Sequence, residues 1–541
     1  MQNLPVEAVL RIFSFLDGQQ IARCAEVCAY FKDMITRSTA MQYAIKLAMY
    51  GYSERHDDRV LPKPVTTRIN QLECHIRAWN NLDWVESLVT IPNAQFRALS
   101  GGIFVHVGLD VVTCVQLPSF LRDIPLRTWT MENPVDVDFI NCVAVDASQD
   151  LFVIFHQSSN SLHSFLRLQS LSDSVPHPRA ALSVLELWVT PTPVRQQFKS
   201  MVQIIGHLLG VFHYFDAAVL QIWDWSAGHR VASLQLGSSY WERAMPLMSS
   251  ASLPFTFLSG SSFIIPTPGA VDVYQFSPGS WDATPTRIAS FRLPPEDDGA
   301  FRWIKIEDAS TIQEALSSLY GSSDHDILSH HPPSSRLPGN LLGAASNCQY
   351  IRLSRRTYSD SEPGVVHVMR LHAPLHVFRR SATFEDPLQI PWDTWSQGIY
   401  RDRRRTNLGH TGNPTESHLL HTGRIIDVAH PHRMYESGQP TWVSLLDFNQ
   451  NRVDMKVSRS EPYPMYGFVP SLHSSFGGSP NPPLMLVALR SYLNDSLWHQ
   501  EWTESWLDDE HIMFMEGGTV ELAILTVSPV SSPSYSTDTV F

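Results

Sequence analysis

Between residues 201 and 236 the chain repeats one pattern four times: a short apolar run, then a turn. The runs are 201–205, 208–214, 219–224 and 230–236, with a Trp225-Ser226-Ala227-Gly228 turn before the last. Each run is too short for a helix and is rich in Val, Ile, Leu and aromatic residues, as strands are. Four antiparallel strands in so short a span make one blade of a β-propeller. Units of the same shape flank it. One uses 140–145, 150–155 and 165–168, and the other uses 255–258, 262–265, 271–276 and 288–293. The third strands end near 168, 223 and 275, a period of roughly 50 to 55 residues. Extended over the chain, that period predicts about seven or eight blades. Further strands are expected at 341–342 with 350–353, then at 365–370, 375–378, 424–429, 441–446, 452–457, 484–488 and 519–526. A pair of β-sandwiches would also yield many short strands and is the alternative architecture.

The N-terminus follows another period. Val6, Val9, Leu10 and Phe13 form one stripe at helical spacing, while Ile12, Phe15 and Leu16 lie beside or behind it. A module of about 45 residues cannot bury apolar surface on several helix faces by itself. A partner is expected to cover the remainder. The same residues predict three short helices, with Pro5 in a first turn and Asp17-Gly18 ending helix one. Helix three carries Val27, Cys28, Phe31, Met34 and Ile35. The competing reading makes these helices merely the first layer of one large domain, and it leaves the second apolar face unexplained.

Leu4-Pro5, Glu7, Ile12, Leu16, Ile21, Val27-Cys28 and Phe31, in this order and spacing, closely resemble an F-box. Phe31 departs from the pattern, since many F-boxes carry Trp there. The stretch 38–47, followed by Arg77-Ala78-Trp79-Asn80-Asn81-Leu82-Asp83-Trp84, is similar to the large F-box family of mushroom-forming fungi. The resemblance covers about the first 85 residues. It implies docking on a Skp-type adaptor through Leu4, Pro5, Ile12, Leu16, Ile21, Val27, Cys28 and Phe31, and through the adaptor on cullin and RING subunits. The chain would then be the substrate-recognition subunit of a ubiquitin ligase, with no covalent chemistry of its own and no cofactor. An F-box scaffold that never joins a cullin is the first alternative.

The expected organisation is therefore α+β and multidomain. An F-box occupies 1–48, and a linker occupies 49–84 with a helix from about Arg68 to Trp79 and Thr67 as a possible N-cap. A mostly antiparallel body runs from 85 to 527. Ile222-Trp223-Asp224 resembles the dipeptide of degenerate WD repeats. Segments 321–340 and 528–541 have loop and tail composition, and 495–506 is the one stretch of the body that suggests an amphipathic helix.

Charge and cysteine usage exclude several classes. Lys+Arg 40 against Asp+Glu 53 leaves −13, which argues against a nucleic-acid binder. No basic leader precedes an apolar run, and no run is long enough for a membrane span, so an intracellular protein of cytoplasm or nucleus is expected. The six cysteines form no CxxC pair, so neither a disulfide framework nor a zinc ribbon is indicated. Motifs for a nucleophile elbow, a phosphate loop or an HExxH site are absent from the sequence. His410, His418, His421, His430 and His432 are crowded together. They are the basis of a second alternative, a propeller enzyme with a His-based metal site, although titratable loop histidines explain them more simply. Arg401, Arg403, Arg404 and Arg405, with Arg355-Arg356 and Arg379-Arg380 upstream, would offer an acidic or phosphorylated substrate a basic patch if the blades brought them together.

Overall fold

The structure is a computed structural model. It describes residues 4–54, 63–81, 84–91, 96–136, 139–157, 163–187, 200–214, 218–237, 253–267, 269–294, 302–308, 342–344, 350–358, 365–379, 388–396, 399–407, 418–421, 424–429, 442–447, 484–486, 502–507, 510–516 and 521–527.

Four helices, not three, open the chain: α1 (Val6–Phe13), α2 (Gly18–Val27), α3 (Ala29–Arg37) and α4 (Thr39–Tyr50). Asp17 does not stop α1. It caps α2 by accepting the Gln20 N–H at 2.8 Å, while the Gln20 side chain accepts the Asp17 N–H at 3.1 Å, a reciprocal pair that satisfies two otherwise orphaned donors. Val27 ends α2, and the Cys28 sulfur caps α3 by accepting the Phe31 N–H. Gly51, at φ 76°, stops α4 in the left-handed conformation that a side chain would resist. Strand β1 (Tyr52–Glu54) follows, and then the linker helix α5 (Val65–Asn81), which begins two residues before Thr67.

The body is a set of antiparallel sheets taken in chain order. The first sheet is β3 (Phe96–Ser100), β4 (Ile103–Val107), β5 (Val111–Gln116) and β6 (Arg127–Glu132). The second is β7 (Ile140–Asp146), β8 (Leu151–Gln157), β9 (Ser164–Ser170) and β10 (Val184–Leu187). The third is β11 (Ser200–Ile205), β12 (Leu208–Tyr214), β13 (Ala218–Asp224) and β14 (His229–Leu236). The fourth is β15 (Thr256–Ser259), β16 (Ser262–Thr267), β17 (Ala270–Gln275) and β18 (Thr286–Arg292). The fifth contains β19 (Arg302–Asp308), β21 (Tyr350–Tyr358), β22 (Val365–Pro374) and β24 (Tyr400–Asn407). The sixth is β25 (His418–His421), β26 (Arg424–Ala429), β27 (Trp442–Asp447) and β28 (Leu484–Leu486). The last is β29 (Trp502–Leu507), β30 (His511–Glu516) and β31 (Glu521–Val527), completed by β2 (Trp84–Thr90) from the other end of the body.

That final pairing, Trp84 opposite Val527 through Thr90 opposite Glu521, joins the two ends of the body in one sheet. The first three sheets touch through their first strands, β3 on β7 and β7 on β11, and the sixth meets the last through β25 and β29. Sheets of four strands in a ring closed by both chain ends make a β-propeller. A sandwich pair would need two extended sheets in place of these separate ones. Two strands fall outside the pattern: β20 (Leu342–Ala344) pairs with β1, and β23 (Leu388–Ile390) adds in parallel to the outer edge of β18.

Three expectations are corrected. Residues 375–378 belong to a short helix, Leu375–Arg379. The end of the anticipated helix at 495–506 is strand β29. Leu342 pairs with the linker strand β1 and not with a blade. The expected strand at 452–457, the loop at 321–340 and the tail at 528–541 lie outside the described residues.

The core lies between the sheets. Phe255, Phe257 and Phe263 of the fourth sheet meet Phe212, Leu220 and Ile222 of the third. Polar side chains also bond across the seams. Gln203 donates to the Thr256 hydroxyl at 2.9 Å and accepts the Phe257 N–H at 3.0 Å. Gln149 and the Trp225 indole both donate to the Gly206 carbonyl, at 2.8 and 2.9 Å. Gln149 carries this contact from the second sheet, while Trp225 bonds Gly206 within the third; Trp223 and the fully buried Trp225 both pack in the core between the two sheets, with His177 edge-on to Trp225 at 4.9 Å. Asp224 caps the turn that holds Trp225, accepting from the Ser226 hydroxyl and the Ala227 N–H.

Asp150 sits at φ 58° in the turn between β7 and β8, buried, with its carboxylate accepting the Ser172 N–H at 2.9 Å and the Ser172 hydroxyl at 2.7 Å. Burial pushes its carboxyl up to about 6, although the Ser172 hydrogen bonds oppose the shift. A carboxyl whose folded pKa is raised contributes most below its unfolded value near 3.8 and loses that contribution as pH rises through about 6. Asp150→Asn keeps an acceptor for Ser172 and suits the left-handed backbone. It should raise the melting temperature by a few degrees at pH 7.5, on the order of 2 kcal/mol. Melting curves at pH 7.5 and 4.5 test this; an equal difference at both pH values would refute it.

Candidate functional site

The helical module has a small closed core: Val9 and Phe13 of α1, Ile21 of α2, Met34 and Ile35 of α3, and Met41 of α4. Phe31 is half-buried against it, with its ring edge-on to Phe13 at 5.2 Å. Leu10, Leu16 and Cys24 also pack partly on this core. The i, i+4 spacing of Val9 and Phe13 turns these two inward, and the rest of α1 is left outside.

What stays outside is apolar. Ile12 is 51% exposed, Phe15 75% and Val27 70%, and Leu4, Val6 and Tyr30 are also open to solvent. Three large side chains with that much surface in water within one small module, Ile12 on α1, Phe15 in the turn after it and Val27 at the end of α2, offer apolar surface that a partner can cover. Arg11 lies 5.0 Å above the Phe15 ring, so a cation borders it.

The eight residues read from the sequence therefore divide by burial. Leu4, Pro5, Ile12, Val27 and Cys28 are exposed, and Leu16 and Phe31 are half-buried. Ile21 is 1% exposed and faces the internal core, where it can support a docking surface but cannot touch a partner. Phe15, Val6 and Tyr30 are exposed members that the motif does not list. The apolar positions on the second face of α1 were the signal for Phe15.

The arginine run is a strand, not a loop. Arg401, Arg403, Arg404 and Arg405 belong to β24, the outer strand of the fifth sheet. Register aligns Arg355 of β21, Met369 of β22 and Arg403 in one row, and Arg356, Val368 and Arg404 in the next. Successive strand positions belong to opposite faces of a sheet, so neighbouring members of the run do not share a face. Arg379 lies apart from the run and donates to the Leu258 carbonyl of β15 at 3.0 Å.

His418 and His421 lie in β25, while His410, His430 and His432 lie outside the described residues. Among the described residues no group of His, Cys, Asp and Glu is placed to hold a metal ion, and no helix is long and apolar enough to cross a membrane.

Residues 1–41 match the F-box-like family model, so the N-terminal module is an F-box-like domain and the chain joins it to an all-β body. No curated protein matches the sequence. Among solved structures, the chain is similar to the C-terminal WD40 domain of Sif2, at 10% identity and TM-score 0.35, covering 82% of this chain and 98% of that one. It is also similar to Kuenenia stuttgartiensis hydrazine synthase, at 12% identity and TM-score 0.37, covering 81% and 96%. A third likeness is to Saccharomyces cerevisiae Sqt1, at 7% identity and TM-score 0.23, covering 68% and 97%. At these scores the propeller assignment rests on the strand order and ring closure described above.

Proposed function

We propose that this chain is the substrate receptor of a Skp–cullin–F-box type ubiquitin ligase. The observation that carries the reading is the exposed apolar patch of Ile12, Phe15 and Val27 on a segment that matches the F-box-like model. The F-box docks on the adaptor, and the propeller binds the protein to be modified. Bond-making belongs to the RING and conjugating-enzyme subunits, while this chain supplies proximity. It acts in the cytoplasm or nucleus, and the residues that follow the F-box favour a fungal member of the family. The arginine rows of the fifth sheet are the candidate contact for an acidic or phosphorylated substrate, since guanidinium groups pair well with such anions.

Co-purification of the intact chain with Skp-type adaptor and cullin tests the reading. Capture of both supports the receptor. Adaptor without cullin would assign the chain instead to a scaffold outside the ligase, and capture of neither would overturn the proposal.

A further inference from the structure

Loops that join third to fourth strands in three of the described sheets turn back on the preceding sheet. In the second sheet the Leu171 carbonyl accepts the Trp129 indole N–H of β6 at 3.2 Å. In the fourth, Ala283 pairs in parallel with Ala232 of β14, exchanging hydrogen bonds of 3.0 Å with Val231 and Ser233. In the fifth, β23 lies along β18, and the Trp395 indole donates to the Arg292 carbonyl at 2.8 Å. The returns of the fourth and fifth sheets cover part of an outer edge that would otherwise be open to pairing.

The corresponding loop of the first sheet, 117–126, reaches both the closing blade and the linker helix. Ser119 and Ile124 close it on themselves with two backbone hydrogen bonds, and Asp123 turns at φ 58°. Toward the closing blade, the Leu121 N–H donates to Glu510 at 3.3 Å, Arg122 pairs with the same carboxylate at 3.5 Å with both side chains almost fully buried, and the His511 imidazole meets the Pro118 carbonyl at 2.5 Å. Toward the linker, the Leu121 side chain packs among Tyr43, Leu47, Tyr52, Leu72 and Ile76. Its carbonyl accepts from Gln71 at 2.9 Å and Lys63 at 3.4 Å, and Lys63 also pairs with Asp123 at 2.9 Å. One residue thus joins the core of α4 and α5 to the seam where the ring closes.

The linker has a further contact, made by β1. Strand β1 leaves α4 directly after Gly51 and pairs antiparallel with β20, carried between β19 and β21 of the fifth sheet. The Tyr52 hydroxyl, 3.2 Å from the His75 imidazole, binds β1 to α5 as well. With the Tyr52–His75 contact, α4, β1 and α5 make one unit that carries Leu121 in its core.

We propose that loop 117–126 is a clamp that holds the F-box-like module at one orientation on the propeller, with Leu121 and Glu510 as positioning residues. The exposed Ile12 of α1, Phe15 of the turn after it and Val27 of α2 take no part in the clamp core on α4, β1 and α5, so a partner can cover them without opening it. The clamp stands on contacts within this chain; only its consequence, a fixed distance from adaptor to bound substrate, rests on the receptor reading.

The test measures electron–electron distances in the full chain, with genetically encoded spin labels at the exposed Glu26 and Asp110. The unaltered chain should give one narrow distance. Leu121→Ser with Glu510→Ala should broaden the distribution about twofold or more, because the module then samples several orientations. A second variant, Lys63→Ala with Gln71→Ala, removes only the linker side of the grip and decides the matter if the first fails to fold. A broad distribution in the unaltered chain, or an unchanged one in every variant that folds, overturns the clamp. Adaptor capture by the same samples reports on the receptor reading separately, since a failed clamp still leaves the apolar patch available.

Discussion

Gly18→Ala should abolish adaptor capture by separating two helices of the F-box-like module, while the propeller keeps its own melting transition. Gly18 opens α2 and lies directly on α4. A Cβ there would meet the Ala44 carbonyl oxygen at 2.1 Å and the Ala48 Cβ at 2.7 Å. Neither obstacle is the flexible end of a side chain, so relief requires α2 to move off α4. Overpacking of this kind costs about 1–3 kcal/mol and occasionally more. A module of roughly 45 residues has only a few kcal/mol to lose. Hydrogen exchange should show α1 to α3 exchanging freely with β-strand protection retained, and adaptor capture should fall to background. Wild-type protection in the helices would show that the contact relaxes and would sink the expectation.

Ile12→Asp with Phe15→Asp should produce the same loss of capture for a different reason, with the fold intact. Both side chains are already largely in water, so the free protein gives up little apolar contact. In the complex the cost is double. Each large apolar side chain that a partner covers contributes about 1.5–3 kcal/mol, and a carboxylate placed beneath that partner is desolvated, at position 15 with only Arg11 nearby to offset it. A loss of about 2.7 kcal/mol is already a hundredfold in affinity, and two sites together should exceed it. Titration calorimetry with purified adaptor gives the affinity, and a thermal melt gives the control. Unchanged affinity would place the docking surface elsewhere. Unchanged affinity with a lowered melt would mean the two residues serve the module's own packing. Together the two variants separate a lost fold from a lost surface.

Much of the body was legible because strand periodicity is local. The runs at 208–214, 219–224 and 230–236 are β12, β13 and β14 nearly residue for residue, since alternating Val, Leu, Ile and aromatic residues bounded by Gly and Asp turns have few other stable forms. The arginine run was not legible. Charged residues carry no strand period, and β24 owes its form to pairing with β22. Leu375, Val377 and Phe378 show the converse: strand-like residues adopt a short helix that packs Phe378 against Phe291 and Trp395. At the N-terminus the helices were plain, but their limits shifted. Asp17 and Cys28 act as caps, and a cap and a stop look alike when read one helix at a time.

By itself, the sequence determined that an apolar helical module precedes a long series of short antiparallel strands, because helical and strand periods depend on neighbours within a few residues. Only the tertiary structure decided that Ile21 is buried while Ile12 and Phe15 are exposed, that β2 closes the ring on β31, and that Leu121 joins the two parts. Burial and strand pairing depend on what the rest of the chain brings alongside, and Leu121 reaches its partner Glu510 only when the ring has closed.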